Sequence, residues 1–287
     1  MTRIKTAVFP VAGIGSRFLP ATKANPKEML PIVDKPLIQY AVEEAMRAGL
    51  NHMIFITNAS KRSIEDHFDS NRELESYLFE HNKQELLAVV KQISPVGISF
   101  TYVRQNCPLG LGHAILCAEH VVGNESFAVL LADDLIDDSV PCLAEMITLA
   151  HDGNQSVVAV QPVSWDEVER YGVVSIATPL ASHAQILDIV EKPQKELATS
   201  NLVAVGRYVF TKQIFSCLKQ LQPDHRGEIQ LTDGIKNLLL EQTVQAYKFS
   251  GKRYDCGSKL GYLQAITEFG MRHSEIGLEF TQYLANK

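Results

Sequence analysis

Short apolar, β-branched runs at 6–9, 53–57, 98–103 and 127–131 alternate with stretches whose apolar residues recur at helical spacing. Leu37, Ile38, Tyr40, Ala41, Val42, Ala45 and Met46 form one such stretch, which stops at Gly49, a residue suited to ending a helix. Residues 71–92 carry a charged pattern that predicts one longer helix or a helix pair. Strands alternating with helices predict a largely parallel sheet with helices on both faces. After about residue 155 the pattern shifts to short strands at 156–161, 173–176, 186–190 and 203–210, with the loop 165–172 between the first two. The tail from Lys259 reads as helical. Leu260, Leu263, Ile266 and Phe269 are expected on one stripe, followed by Ile276, Leu278, Phe280, Tyr283 and Leu284, either in the core or at a subunit contact.

No Pro/Gly/Ser-rich linker, low-complexity tract or internal repeat interrupts the chain, so its parts are expected to share one folding unit. The expected class is α/β: a Rossmann-like, mixed, largely parallel sheet plus a second lobe and C-terminal helices. The lobes are expected at about 1–155, 156–257 and 258–287. With 287 residues, 46% of them hydrophobic, the chain can bury a substantial core. A formal net charge of −6 argues against broad nucleic-acid binding, which draws its affinity from a basic surface. No apolar run approaches the roughly 20 residues of a membrane span, and Met1-Thr2-Arg3-Ile4-Lys5 leads into the first strand without a signal-peptide core. A soluble, cytoplasmic protein with no membrane or nucleic-acid partner is expected.

Positive charge gathers locally instead. Gly13 and Gly15 follow the first strand, and Arg17, Lys23 and Lys27 come soon after. Two glycines let backbone amides close around phosphate oxygens, and the basic side chains can neutralise them. The dinucleotide fingerprint fails, because Phe18 stands where its third glycine belongs and Asp34 lies in a Pro-flanked loop. The Gly-Lys-Ser/Thr phosphate loop is absent altogether. The run 127–132 ends in Asp133 and Asp134, with Asp137 and Asp138 close behind. Hard oxygen ligands at a strand end suit Mg²⁺, and a solvated turn that caps the helix near 141 is the other reading. Leu135 and a missing glycine exclude a calcium-binding EF-hand loop. Five scattered cysteines without a Cys-x-x-Cys pair indicate neither disulfides nor zinc, and Cys256 has no neighbouring His to activate it. Of the nine histidines, His113 either orients the nucleotide loop or is structural.

Gly13-x-Gly15-x-Arg17 followed by Pro26-Lys27-Glu28-Met29-Leu30-Pro31 resembles the signature of the nucleotide-sugar pyrophosphorylases. Further blocks match in order: Gly110-Leu111-Gly112-His113-Ala114, Asp133, Tyr171-Gly172-Val173, Glu191-Lys192-Pro193, Val205-Gly206-Arg207-Tyr208, the stretch 227–233 and Asp255-Cys256-Gly257. The resemblance is strongest to members that use UTP and glucose 1-phosphate. It implies a nucleotide-diphospho-sugar transferase fold, a Mg²⁺ ion and a homo-oligomer, dimer or tetramer. It implies Asp133 and Asp255 as metal ligands and leaves Asp134, Asp137 and Asp138 as capping or solvated residues. Ala12, Gly13 and Gly15 would hold the nucleotide, with Arg17, Lys27 and Lys192 as the cations of the reaction. The Gln105 amide offers one donor and one acceptor, matching the imide edge of uracil, and Gly110 lets the chain approach the base. Glu28 either completes base recognition or is the counter-ion of Lys27. Tyr171, Gly172, Glu191, Lys192, Val205 and Gly206 would hold the sugar phosphate. A thymidylyl- or adenylyltransferase of the same fold, or a silent paralogue that binds nucleotide sugar and regulates another enzyme, are the alternatives. A nicotinamide dehydrogenase is a distant third.

Overall fold

Val8, Ile54, Val129 and Val158 pack on one face of a sheet while their chain neighbours Phe9, Phe55, Ala128 and Ala159 pack on the other, so successive side chains enter two separate cores. A strand buried on both faces has no polar positions, which is why these segments read as unbroken apolar runs. The structure is a computed structural model and describes residues 4–287; Met1–Arg3 of the N-terminal stretch considered above lie outside the described residues. Its strands are β1 (Thr6–Pro10), β2 (Pro31–Ile32), β3 (Lys35–Pro36), β4 (His52–Thr57), β5 (Ser99–Arg104), β6 (Phe127–Leu130), β7 (Asp134–Asp137), β8 (Ser156–Pro162), β9 (Gly172–Ile176), β10 (His183–Glu191), β11 (Leu202–Phe210), β12 (Val244–Lys248) and β13 (Lys252–Asp255).

Nine of them form one mixed sheet in the order β5-β4-β1-β6-β11-β8-β12-β10-β9. The strands β5, β4, β1 and β6 run parallel, and β11 enters antiparallel to β6 through Arg207 opposite Leu130. Because Leu202–Ala204 lies beyond the end of β6, β11 overhangs the parallel half. There it pairs with β9 through Val203 and Val173. One sheet therefore joins the strands of the first 130 residues to those that follow residue 155. Among the described residues, no helix is long and apolar enough to cross a membrane.

The first helix, Leu37–Arg47, ends just before Gly49, whose φ of 86° suits glycine, and the 71–92 pattern resolves into the helix pair Arg72–Glu80 and Gln84–Ile93. The C-terminal helix Lys259–Arg272 corrects the expected stripe. Ala265 is fully buried, and Tyr262, Ile266 and Phe269 pack around it against Leu135, Tyr254 and Cys256, whereas Leu260 and Leu263 are 68% and 59% exposed. Residues spaced by threes drift around a helix that turns about 100° per residue, so Leu260 stands on the opposite side from Phe269. The ribbon of β7 and β13 was not legible in the sequence. It pairs two four-residue polar-flanked segments more than a hundred positions apart, Asp134 opposite Asp255 and Lys252 opposite Asp137.

Candidate active site

Parallel strands deliver the chain segments that follow them to one edge of a sheet. Here the loops after β1, β5 and β6 supply Gly13, Gln105 and Asp133, and all three line one cavity of about 550 Å³. The overhang of β11 places β9 and β10 over the same edge, where Gly172 pairs with Glu191. Thus Gly172, Glu191 and Lys192 line the same cavity as the glycine loop after β1.

At one end lie Ala12, Gly13, Gly15, Lys27, Gln105 and Gly110. Gly15 takes a φ of 73°, and its carbonyl accepts from Thr22 Oγ1 at 2.7 Å, so the turn is folded back on the segment that carries Lys27. The loop after β4 braces this segment at two points. Asn58 Nδ2 donates to Ala12 O at 2.7 Å, and Lys61 Nζ bonds Glu28 Oε2 at 2.8 Å, with both charged side chains almost fully buried. Glu28 is thus no part of the cavity wall, and its ion-pair partner is Lys61. Burial holds the Glu28 carboxyl above its usual range, although Lys27 and Lys61 pull the other way. Gln105 Nε2 donates to Gly110 O at 3.1 Å and faces His113 Nδ1 at 2.9 Å. Gly110 has a φ of 90°, and a Cβ there would stand 2.9–3.1 Å from Glu228 and Ile229, so a side chain would be both strained and crowded.

Asp133 forms the floor. Lys27 Nζ stands 2.5 Å from its Oδ2, and the pair reinforces its own ionisation. Burial alone would raise the Asp133 carboxyl, but Lys27 outweighs it and holds the group below the usual range. The Lys27 ammonium is held above its ordinary value by Asp133 and Glu28 against the same burial. Asp255 lies outside the cavity wall and is held by Arg170 Nη2 at 2.5 Å and Tyr171 Oη at 3.2 Å. The two carboxylates nevertheless converge. A Cβ built on Gly257 would stand 3.0 Å from Asp133 Oδ2 and 3.1 Å from Asp255 Oδ1, with Arg17 Nη1 at 3.4 Å. Two carboxylates that approach the same glycine supply the hard oxygen donors that a Mg²⁺ takes, with water and phosphate oxygens left to complete its shell. Among the described residues no closed cage of three or more His, Cys, Asp or Glu exists. Arg17 also lies off the wall, with Nη1 donating to Gly257 O at 3.3 Å.

Asp134 is a correction to the expectation of a capping or solvated residue. It is 7% exposed, accepts from Gly206 N at 2.9 Å and is ion-paired with Arg253, so it locks β11 to the β7–β13 ribbon. Asp138 is the cap, with Oδ2 accepting from Cys142 N at 2.7 Å, and Asp137 pairs with Arg272 at 2.7 Å. Beneath the floor, fully buried Arg207 forks onto Glu44 at 2.7–3.1 Å and donates to Leu131 O at 2.9 Å, fixing the backbone that presents Asp133. Burial beside three carboxylates pushes the Cys256 thiol up to about 12, which keeps it protonated and unreactive.

At the other end, Gly172, Glu191 and Lys192 line the cavity, and Lys192 Nζ lies 2.9 Å from Glu191 Oε1. Tyr171 sends its ring to Asp255 and Arg253, while its carbonyl accepts from Lys192 N at 3.0 Å. Val205 points into the core on the other face of β11, and Gly206 lies tight under Leu131 and Asp134. Strand alternation puts Ala204 and Tyr208 on the cavity wall instead. Glu228, Gln230, Leu231 and Thr232 also line it. The signal for these was the matching block at 227–233, to which the sequence alone attached no role.

The match to known proteins covers the same elements. The model of the nucleotidyl transferase family matches residues 7–270. A UTP–glucose-1-phosphate uridylyltransferase from Bacillus subtilis is 48% identical over all of this chain and 99% of its own length. A UTP-bound UGPase from Acinetobacter baumannii superposes with a TM-score of 0.92 at 45% identity, covering 98% of this chain and 99% of that one. A UDP-glucose pyrophosphorylase complexed with UDP-glucose gives a TM-score of 0.85 at 46% identity, over 93% of this chain and 98% of that one. With its fold matched and residues 7–270 covered by the family model, the chain belongs to the nucleotidyl transferase family.

Proposed function

We propose that this protein transfers the uridylyl group of UTP to α-D-glucose 1-phosphate, forming UDP-glucose and pyrophosphate. The observation that carries the reading is the single cavity in which a glycine loop with Lys27 faces Glu191 and Lys192 across Asp133. Relatives bearing that activity match over the full chain. A phosphate oxygen of the sugar phosphate attacks the α-phosphorus in line. The bond from that phosphorus to the α,β-bridging oxygen breaks, and pyrophosphate leaves with the electron pair. The nucleophile is already an anion, so no side chain needs to remove a proton. Holding two anions at reaction distance can lower the barrier by about 7–11 kcal/mol. Lys27 and Arg17 neutralise the triphosphate, Lys192 binds the sugar phosphate, and Glu191 accepts from sugar hydroxyls. Asp133 and Asp255 would hold Mg²⁺, which supplies charge neutralisation to the phosphates when bound. Ala12, Gly13 and Gly15 bring backbone to the nucleotide, Gln105 and Gly110 meet the base, and Gly172 meets the sugar.

The protein is further proposed to act as a homo-oligomer in the cytoplasm. Leu260, Leu263, Leu278 and Tyr283 are all more than half exposed on the C-terminal helices, and light scattering gives the mass directly. The decisive assay is pyrophosphate release with UTP, dTTP, CTP, ATP and GTP, each against glucose, galactose and mannose 1-phosphates. Highest kcat/KM for UTP with glucose 1-phosphate is expected. Absence of release with every pair, or a clear preference for dTTP or ATP, would overturn the reading.

A further inference from the structure

Gln105 is 7% exposed, and its amide faces the base in the function proposed above, on which this inference rests. A carbonyl oxygen can only accept, so the Gln105 atom 3.1 Å from Gly110 O must be the amide nitrogen. The second hydrogen of that nitrogen is directed at His113 Nδ1, 2.9 Å away. Both hydrogens are then spent within the protein, and Oε1, an acceptor only, is what Gln105 has left for the cavity. Gly110 and His113 belong to one helix, Gly110–Leu116, so a single rigid element holds both restraints. For Nδ1 to accept, the neutral imidazole carries its hydrogen on Nε2. The other polar atom near Nδ1 among the described residues is Cys117 Sγ, at 3.9 Å.

We propose that His113 is a positioning residue for base selection: by engaging one amide hydrogen of Gln105 it keeps Oε1 toward the ligand, so the site accepts a pyrimidine bearing N3–H and rejects cytosine, whose N3 is itself an acceptor. This replaces the two-point reading of Gln105 suggested by its side-chain chemistry alone. Without His113 the amide is restrained by the Gly110 carbonyl alone and can turn its nitrogen to the cavity, where it would suit cytosine N3.

The test is steady-state kinetics of His113→Leu and His113→Asn with UTP and CTP, with the KM for glucose 1-phosphate measured alongside. Leucine keeps the bulk and removes the acceptor, whereas the Asn Oδ1 can stand where Nδ1 stands. For His113→Leu the UTP-to-CTP ratio of kcat/KM is expected to fall about tenfold, the size of one lost hydrogen bond, mostly through the KM for the nucleotide. The KM for glucose 1-phosphate should stay unchanged, and His113→Asn should restore the ratio. Wild-type enzyme should also reject N3-methyl-UTP. An unchanged ratio in His113→Leu, failure of His113→Asn to restore it, or ready use of N3-methyl-UTP would each overturn the inference while leaving the proposed function in place. A wild-type protein that does not use UTP would overturn both.

Discussion

Lys61→Met removes the cation from an ion pair that water does not reach. The side chains of Lys61 and Glu28 are 3% and 2% exposed and their charged atoms lie 2.8 Å apart. Methionine retains most of the apolar stem, so the main loss is the charge. The other cation near Glu28 is Lys27, which is committed to Asp133. Stripping one partner from a buried pair leaves an uncompensated charge and costs about 3–5 kcal/mol, whereas replacing both by apolar groups of similar volume is often close to neutral. Urea unfolding of the wild type, Lys61→Met, Glu28→Leu and the double variant should therefore give two strongly destabilised single variants and a double variant that recovers most of the loss. The pH dependence has a definite sign. Burial already holds the Glu28 carboxyl above its ordinary range, and losing Lys61 pushes it further. A carboxyl whose folded value exceeds its unfolded value takes up a proton on folding between the two, so the stability of Lys61→Met falls as pH rises through that window and its deficit shrinks at acid pH. Because Glu28 adjoins Lys27, the KM for UTP should rise more than that for glucose 1-phosphate. A Lys61→Met cost below about 1 kcal/mol, or a double variant as unstable as the sum of the singles, would refute the reasoning.

Asp134→Ala should destabilise by about 3–5 kcal/mol, because Arg253 would be left buried and unpaired; a change in melting temperature too small to resolve would show that the ribbon does not depend on it. Lys27→Ala should raise the KM for UTP and slow turnover, and Lys192→Ala should raise the KM for glucose 1-phosphate. Calorimetric binding of each substrate checks this division, which fails if the effects are exchanged. Gly257→Ala should raise the Mg²⁺ concentration for half-maximal activity about tenfold, since the new methyl crowds Asp133 and Asp255; an unaltered metal titration would show that these two carboxylates do not share the ion.

The parallel strands β1, β4 and β6 were legible in the sequence because they are buried on both faces, which forces continuous apolar runs within Thr6–Pro10, His52–Thr57 and Phe127–Leu130. The glycine turn with Lys27 was legible because its parts lie within fifteen residues of one another, and the ordered family blocks extended the reading across the chain. Charge pairing was not legible. Nothing local tells Glu28 that its partner is Lys61, places Arg207 on Glu44 163 positions away, or buries Asp134 against Arg253 while its neighbour Asp133 faces the cavity. Nor could spacing alone show which face of the Lys259–Arg272 helix would be covered, since Leu260 is more apolar than Ala265 and is exposed, while Ala265 is buried by what packs opposite. Apolar pattern is a property of each segment, written in its own residues. The partner of a charge and the sheltered side of a helix are properties of pairs of segments, decided only when distant parts of the chain are brought together and water is removed from between them.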